Sequence, residues 1–352
     1  MKASLLLSAA ALGLSLLASP VVAAPTVDAL PPIISSRTSL PSRLPKADLH
    51  AEQKAIDKNG ELPPGVEQKG GMALNANETI SALQARGGLP VAPASTVNDL
   101  VHYTYLAANA YCRSVVPGGK WDCAHCQPTI PDGKLVTTFT SLLYDTNGYI
   151  IRSDEKKQID LAFRGTNSFR NFVADFDFLS ITYPPVKGAK VHGGFYKAYL
   201  EVAEKVITNM RKQLDEYPDY KVVVTGHSLG GAFAVLGAMD LYQRDARFTK
   251  SNMKIYTYGG PRVGNPDFAY YVTGTGIDLF RTVNNRDIVP HLPPQSFGFL
   301  HPGVEYWING GKDDVKICDK TLETSLCSNS IVPFTHLVDH LAYFDINAGL
   351  CL

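Results

Sequence analysis

The segment that most limits how this chain can fold is Val222-Val223-Val224-Thr225-Gly226-His227-Ser228-Leu229-Gly230-Gly231-Ala232-Phe233-Ala234-Val235-Leu236. Its β-branched apolar start reads as a buried strand, and the small and apolar residues at its end read as a helix. Between the two, the chain must reverse within Gly226 to Gly231. A turn that tight leaves no room for side chains two residues before and two residues after Ser228, and both positions are glycine. G-x-S-x-G by itself occurs by chance, but on a strand-turn-helix junction it marks a nucleophile elbow. Such an elbow exposes the serine hydroxyl at a helix N-terminus, whose free N–H groups can receive a developing oxyanion. The competing glycine-rich turn is a phosphate loop, and the Gly-Lys-Ser/Thr ending that it needs is missing here.

A serine hydroxyl attacks only when a base takes its proton, and the base must be oriented by a carboxylate. For this elbow the expected chain order is Ser, then Asp or Glu, then His. Four histidines follow Ser228, at His291, His301, His336 and His340. His340 lies near the chain end, where a loop can return to the sheet edge, and is the expected base. His291 and His301 stand among prolines and read as structural. Asp287 follows a strand-like run, Leu279 to Val283, and is the expected acid; Asp339, adjacent to His340, is poorly placed to reach its ring. His336 and His340 have a spacing that could hold a metal on a helix, but Leu337 stands where the H-E-x-x-H motif has its glutamate. No metal and no cofactor is required by this reading.

The run Ile159 to Phe163 ends in Arg164-Gly165-Thr166, and a loop there can supply a second oxyanion donor, at Thr166, beside the backbone N–H of Leu229. Next comes Phe169-Arg170-Asn171-Phe172-Val173-Ala174-Asp175, with Phe169, Phe172 and Val173 at i, i+3 and i+4. Periodicity alone makes this a turn of surface helix; its position beside the expected site makes it a candidate apolar flap. Helices are expected at Ser95 to Tyr111, Gly194 to Glu216 and Gly230 to Gln243. Strands are expected at Lys134 to Tyr144, Gln158 to Arg164, Lys221 to Thr225, Lys254 to Tyr258, Leu279 to Val283 and Val304 to Ile308. Strands alternating with helices predict an α/β fold with a central, mainly parallel sheet covered on both faces.

The chain has 2 Trp, 17 Tyr, 15 Phe and 6 Cys, and none of them precedes Tyr103. Met1 to Ala24 has Lys2, an apolar block and a small-residue end, the form of a cleavable export signal. Ser8, Ser15, Ser19 and Pro20 interrupt that block, so a membrane anchor is not expected. Residues 25–86 carry Pro31-Pro32, Pro41, Pro45 and Pro63-Pro64, together with the sequon Asn77-Glu78-Thr79. They read as a linker or pro-segment, ahead of a catalytic domain at 87–352. In an exported chain the even set Cys112, Cys123, Cys126, Cys318, Cys327 and Cys351 implies disulfides. Six cysteines allow 15 pairings, and local closure favours Cys123 with Cys126 and Cys318 with Cys327, leaving Cys112 for Cys351. A redox or zinc role for Cys123-Ala124-His125-Cys126 is weakened by the absence of a second CxxC. Lys+Arg and Asp+Glu number 33 each, and after Arg86 they number 25 and 26. Such a balance supports neither a nucleic-acid partner nor electrostatic adsorption to an anionic membrane.

From about Tyr103 to Leu352 the sequence resembles the filamentous-fungal class 3 triacylglycerol lipases of the Rhizomucor and Rhizopus type. The resemblance is carried by Ala110-Tyr111-Cys112-Arg113, Trp121-Asp122-Cys123, Phe163-Arg164-Gly165-Thr166, Thr225 to Gly231 and Gly260-Pro261-Arg262-Val263-Gly264. It continues in Arg286 to His291, Ser296 to His301 and Asn329 to Thr335. It implies an α/β-hydrolase-like fold, a triad of Ser228, Asp287 and His340, oxyanion donors at Thr166 and Leu229, and the three disulfides above. It also implies that Phe169 to Asp175 belong to a lid that swings aside at a lipid surface, with Asp175 holding the Thr166 side chain, and that the pro-segment is removed near Ser81 to Gly88. The expected protein is a secreted monomer that hydrolyses triacylglycerol at a lipid–water interface. The competing readings are a soluble carboxylesterase or feruloyl esterase on the same scaffold, and a catalytically silent hydrolase-fold protein that binds lipid or a partner.

Overall fold

A computed structural model describes residues 88–141, 143–166, 178–318, 322–324 and 326–351. The expected export signal, the pro-segment with its sequon, and the Phe169 to Asp175 flap lie outside these residues. Among the described residues, the strands are β1 (Lys134–Thr140), β2 (Asn147–Ser153), β3 (Gln158–Phe163), β4 (Ser180–Thr182), β5 (Lys190–His192) and β6 (Lys221–His227). They continue as β7 (Met253–Tyr258), β8 (Asp278–Asn284), β9 (Val304–Ile308), β10 (Val315–Ile317), β11 (Ala342–Tyr343) and β12 (Ile346–Asn347). The helices are α1 (Ala94–Asn109), α2 (Cys126–Thr129), α3 (Gly193–Glu216), α4 (Leu229–Arg244) and α5 (Pro266–Gly274).

One eight-stranded sheet has the order β1-β2-β3-β6-β7-β8-β9-β10. The pairs from β3 through β9 are parallel, while β1, β2 and β10 join antiparallel at the two edges. Successive side chains of β6 point to opposite faces. Val222 and Val224 enter the core with α3 and α4, and Val223 enters the core with α1. Both faces are therefore apolar, as a central parallel strand requires. Helix α4 is buried along nearly its whole length because Gly230, Gly231, Ala232, Ala234, Gly237 and Ala238 let its backbone lie close to its neighbours.

The expected elements occupy their places with shifted ends. Helix α1 stops at Asn109, and Tyr111 lies in the turns that follow, its N–H bonded to the carbonyl of Ala108. Strand β1 stops at Thr140 rather than at Tyr144, because a turn forms there. Ser141 N–H bonds Thr146 O, Thr146 N–H bonds Ser141 Oγ, and Asp145 takes φ 51°. Strand β6 runs two residues beyond Thr225, up to the nucleophile. Strands β2, β4, β5 and β10 to β12 and helices α2 and α5 stand where no element was expected. Three disulfides are present, Cys112–Cys351, Cys123–Cys126 and Cys318–Cys327, and no free cysteine is found among the described residues. No described helix is long and apolar enough to cross a membrane.

Candidate active site

Ser228 is the residue at which β6 becomes α4. It has φ 58° and ψ −133°, a conformation that is costly for a residue with a side chain, by about 1–3 kcal/mol. Its surroundings enforce this geometry. Ser228 N–H donates to Tyr258 O at 2.8 Å, and Gly231 N–H donates to Ser228 O at 2.8 Å. A Cβ on Gly226 would sit 2.1 Å from Gly230 O, and one on Gly230 would sit 2.3 Å from Phe163 O. The crowding expected at both glycines is therefore physical. Ser228 Oγ is buried and has no hydrogen-bond partner among the described residues.

Asp287 lies in the loop after β8 and His340 in a single 3-10 turn, Val338–His340. Both side chains are fully enclosed, at 0% and 1% exposure. His340 Nδ1–H donates to Asp287 Oδ2 at 2.8 Å. Tyr343 donates its hydroxyl to the same oxygen at 2.5 Å, and the N–H of Val289 donates to Oδ1 at 2.8 Å. Three donors thus fix the carboxylate plane. The two loops are also joined by a backbone bond, His336 N–H to Arg286 O at 2.6 Å, and by the Asn284 side chain, whose Nδ2–H groups donate to the carbonyls of Asp339 and Ala342. At Gly259, just past β7, φ is +59°, and a Cβ there would meet Asp287 Oδ2 at 2.7 Å and His340 Cε1 at 2.8 Å. The preceding carbonyl, that of Tyr258, is the one that holds Ser228 N–H. Serine, acid and base, distant in sequence, therefore converge over the end of β7, at the carboxyl ends of the parallel strands.

The Arg164-Gly165-Thr166 loop reaches the same point. A Cβ on Gly165 would fall 2.9 Å from Ser228 Cβ, 2.7 Å from His227 O and 2.3 Å from Tyr111 Oη. Only glycine allows this loop to pass so near the nucleophile. Leu229 opens α4, so its N–H belongs to the first turn, where helices have no internal acceptor. Thr166 thus follows the glycine that touches Ser228, and Leu229 follows Ser228 itself. The candidate flap at Phe169, Arg170, Asn171, Phe172, Val173, Ala174 and Asp175, with the Asp175 contact to Thr166, is outside the described residues.

The other histidines and acids have other partners. His291 bonds Asn329, and His301 Nε2 bonds Pro290 O. Burial pushes the His291 pKa down to about 4, with Arg262 adding to the effect. Asp339 accepts Arg286 N–H and lies near His336. Glu305, Cys318 and Cys327 are the one metal-like grouping among the described residues, and both thiols are tied up in a disulfide. Sequence reasoning did not single out Tyr343, nor the imidazole of His227, which lies between Tyr111 and His340. Tyr343 stands three residues after His340, but its contact with Asp287 spans 56 positions and has no local signature. The loop that carries His340 exposes Val332, Phe334, Val338 and Leu341, with Phe334 at 75%.

The family model for lipase (class 3) matches residues 161–297. A lipase of Rhizomucor miehei is 53% identical over 331 residues, which are 93% of this chain and 91% of that protein. Lipase II of Rhizopus niveus superposes with a TM-score of 0.74 at 60% identity, over 74% of this chain and 99% of that one. A triacylglycerol lipase whose catalytic centre is a serine protease triad superposes with a TM-score of 0.73 at 54% identity, over 75% of this chain and all of that one.

Proposed function

The chain belongs to the class 3 lipases, and from that premise we propose that it is a secreted triacylglycerol lipase working at a lipid–water interface through Ser228, His340 and Asp287. The observation that carries this reading is the enclosed His340–Asp287 pair, bonded at 2.8 Å over the backbone that holds the strained Ser228 elbow. Ser228 Oγ attacks the ester carbonyl, and His340 Nε2 accepts its proton and returns it to the departing glycerol oxygen. Asp287 fixes the tautomer, since Nδ1 must carry the proton that it donates to Oδ2, and it stabilises the imidazolium once formed. The backbone N–H of Leu229 and a donor at Thr166 receive the oxyanion, each worth about 3–4 kcal/mol to the transition state. Water then cleaves the acyl-enzyme by the same steps.

Adsorption to lipid is supported by the exposed Val332, Phe334, Val338 and Leu341 beside the base and by the near-neutral composition after Arg86. A soluble substrate gives no reason to expose these apolar side chains on the loop that carries the base. Residues 1–24 act as an export signal and 25–86 as a pro-segment removed before residue 88, and the mature protein is a monomer. Ser228→Ala is expected to abolish hydrolysis of p-nitrophenyl esters, and a phosphonate is expected to label the wild-type protein at Ser228. Activity retained by the alanine variant would remove Ser228 as nucleophile. The rate on tributyrin is expected to jump once droplets form; smooth saturation through the solubility limit would mark a soluble esterase instead.

A further inference from the structure

The residue before the nucleophile takes no part in the steps above, yet both of its ring nitrogens are engaged. His227 lies in the core at 2% exposure. Its Nε2 is 2.9 Å from the carbonyl oxygen of His340, and its Nδ1 is 3.0 Å from the hydroxyl of Tyr111. A carbonyl can only accept, so Nε2 carries the proton and Nδ1 is an acceptor. Tyr111 must then donate to Nδ1, and its oxygen in turn accepts the N–H of Gly165 at 3.1 Å. The chain of bonds from Gly165 N–H through Tyr111 O–H and His227 Nε2–H to the His340 carbonyl therefore has every proton placed. It starts one residue before Thr166 and ends on the backbone of the base.

The neutral imidazole that this pattern requires is the form present, because burial, reinforced by the neighbouring His340, pushes the His227 pKa well below the usual histidine range. The groups around the ring are Tyr111, His340, whose ring centre is 4.5 Å away, and Tyr343, at 5.8 Å. Asn284 holds the carbonyls of Asp339 and Ala342, and the His227 bond adds a second hold on the same short stretch, at the carbonyl of His340 itself. An apolar residue of the same size at 227 would fill the space and leave the His340 carbonyl and the Tyr111 hydroxyl without this partner in a dry interior.

We infer that His227 and Tyr111 are positioning residues for ester hydrolysis: together they tie the Gly165–Thr166 loop to the backbone of His340, so that oxyanion donor and base face Ser228 in one fixed geometry. This rests on the triad assignment, which phosphonate labelling of Ser228 in the wild type checks separately. The test uses His227→Phe, His227→Gln, Tyr111→Phe and the double variant Tyr111→Phe/His227→Phe. For each, kcat and KM are measured on p-nitrophenyl butyrate below its solubility limit, and kcat/KM is followed against pH. His227→Phe is expected to lower kcat by about ten- to a hundredfold with KM within about twofold. Its acid limb should shift, because the His340 ring no longer sits squarely against Asp287. Tyr111→Phe should lower kcat in the same sense, and the double variant should lose no more than His227→Phe alone, since both changes break one chain. His227→Gln, which can still donate to the His340 carbonyl, should recover part of the loss. A residue that merely fills the core would change the melting temperature and leave the acid limb and the kcat-against-KM split unmoved. Near wild-type kcat in Tyr111→Phe, or losses that add in full in the double variant, would overturn the inference; if His227→Phe does not fold, Tyr111→Phe still decides. Should Ser228 resist labelling in the wild type, the triad reading itself has failed.

Discussion

At the scale of single residues, Asp287 illustrates how a carboxylate is made into an orienting group. Its two oxygens take one imidazole, one phenol and one backbone N–H, which leaves the carboxylate little freedom to rotate. Tyr343 supplies the phenol. Burial, reinforced by the facing carboxylate of Asp287, pushes the Tyr343 pKa well above the usual phenol range, so it stays protonated and donates throughout the working pH range. Tyr343→Phe removes that one donor and keeps the ring. The expected result is a fall in kcat of about tenfold with little change in KM, since a hydrogen bond to a charged group is worth about 1.5–3 kcal/mol and only part of that bears on the transition state. Steady-state kinetics on a soluble ester would check it; an unchanged kcat would make the phenol a packing group only. Ser228, Asp287 and His340 were legible in the sequence because chain order and the elbow pattern restrict the candidates. Tyr343 and the His227 imidazole were not, because what they do is decided by which groups fold against them.

At the scale of elements, the contact between β3 and α1 holds a carboxyl that apolar packing does not welcome. Asp160 is fully buried; its Oδ1 accepts Gln158 Nε2–H at 2.6 Å, while Oδ2 has no hydrogen-bond partner among the described residues. Around it stand Tyr103 of α1, which donates to Gln158, Tyr149 of β2 and, at longer range, Lys156. Burial pushes its pKa up to about 7, against which the Gln158 bond and Lys156 pull only weakly. The native state therefore binds a proton that the unfolded chain releases at about pH 4. This contribution to stability is full below pH 4 and is lost as pH rises to about 7, a change on the order of 4 kcal/mol. Asp160→Asn keeps the shape and cannot ionise. The variant and wild type should melt together at pH 4, and the variant should melt at the higher temperature at pH 8; parallel curves across that range would show that Asp160 does not carry the effect. The sequence placed a strand at Gln158 to Arg164 and a helix at Ser95 to Tyr111, but periodicity does not reveal that an acidic residue of the one faces the other.

At the scale of the whole molecule, Cys112–Cys351 joins residues 239 apart and closes nearly the entire described chain into one loop. Its half-cystines lie near His227, with Cys112 next to Tyr111 and Cys351 two residues beyond Gly349, where an added Cβ would be 3.8 Å from the His227 ring. By loop-closure entropy, replacing both by serine should lower stability by up to about 5 kcal/mol. Urea unfolding of the double serine variant would measure it, and a loss below about 1 kcal/mol would mean that the unfolded chain is already held by other contacts. What the sequence determined by itself was what short range can encode. The run of valines made β6, the glycines two before and two after Ser228 made the elbow, and the order of Ser228, Asp287 and His340 narrowed the site to three positions. Only the tertiary structure decided the long-range matters: antiparallel strands at both edges of the sheet, Gly259 as the floor beneath Asp287 and His340, and the tautomer of His227. The physical reason is that a hydrogen bond or a desolvated carboxyl depends on distances of a few ångströms between residues tens to more than a hundred positions apart, and no local pattern of residue types records those distances.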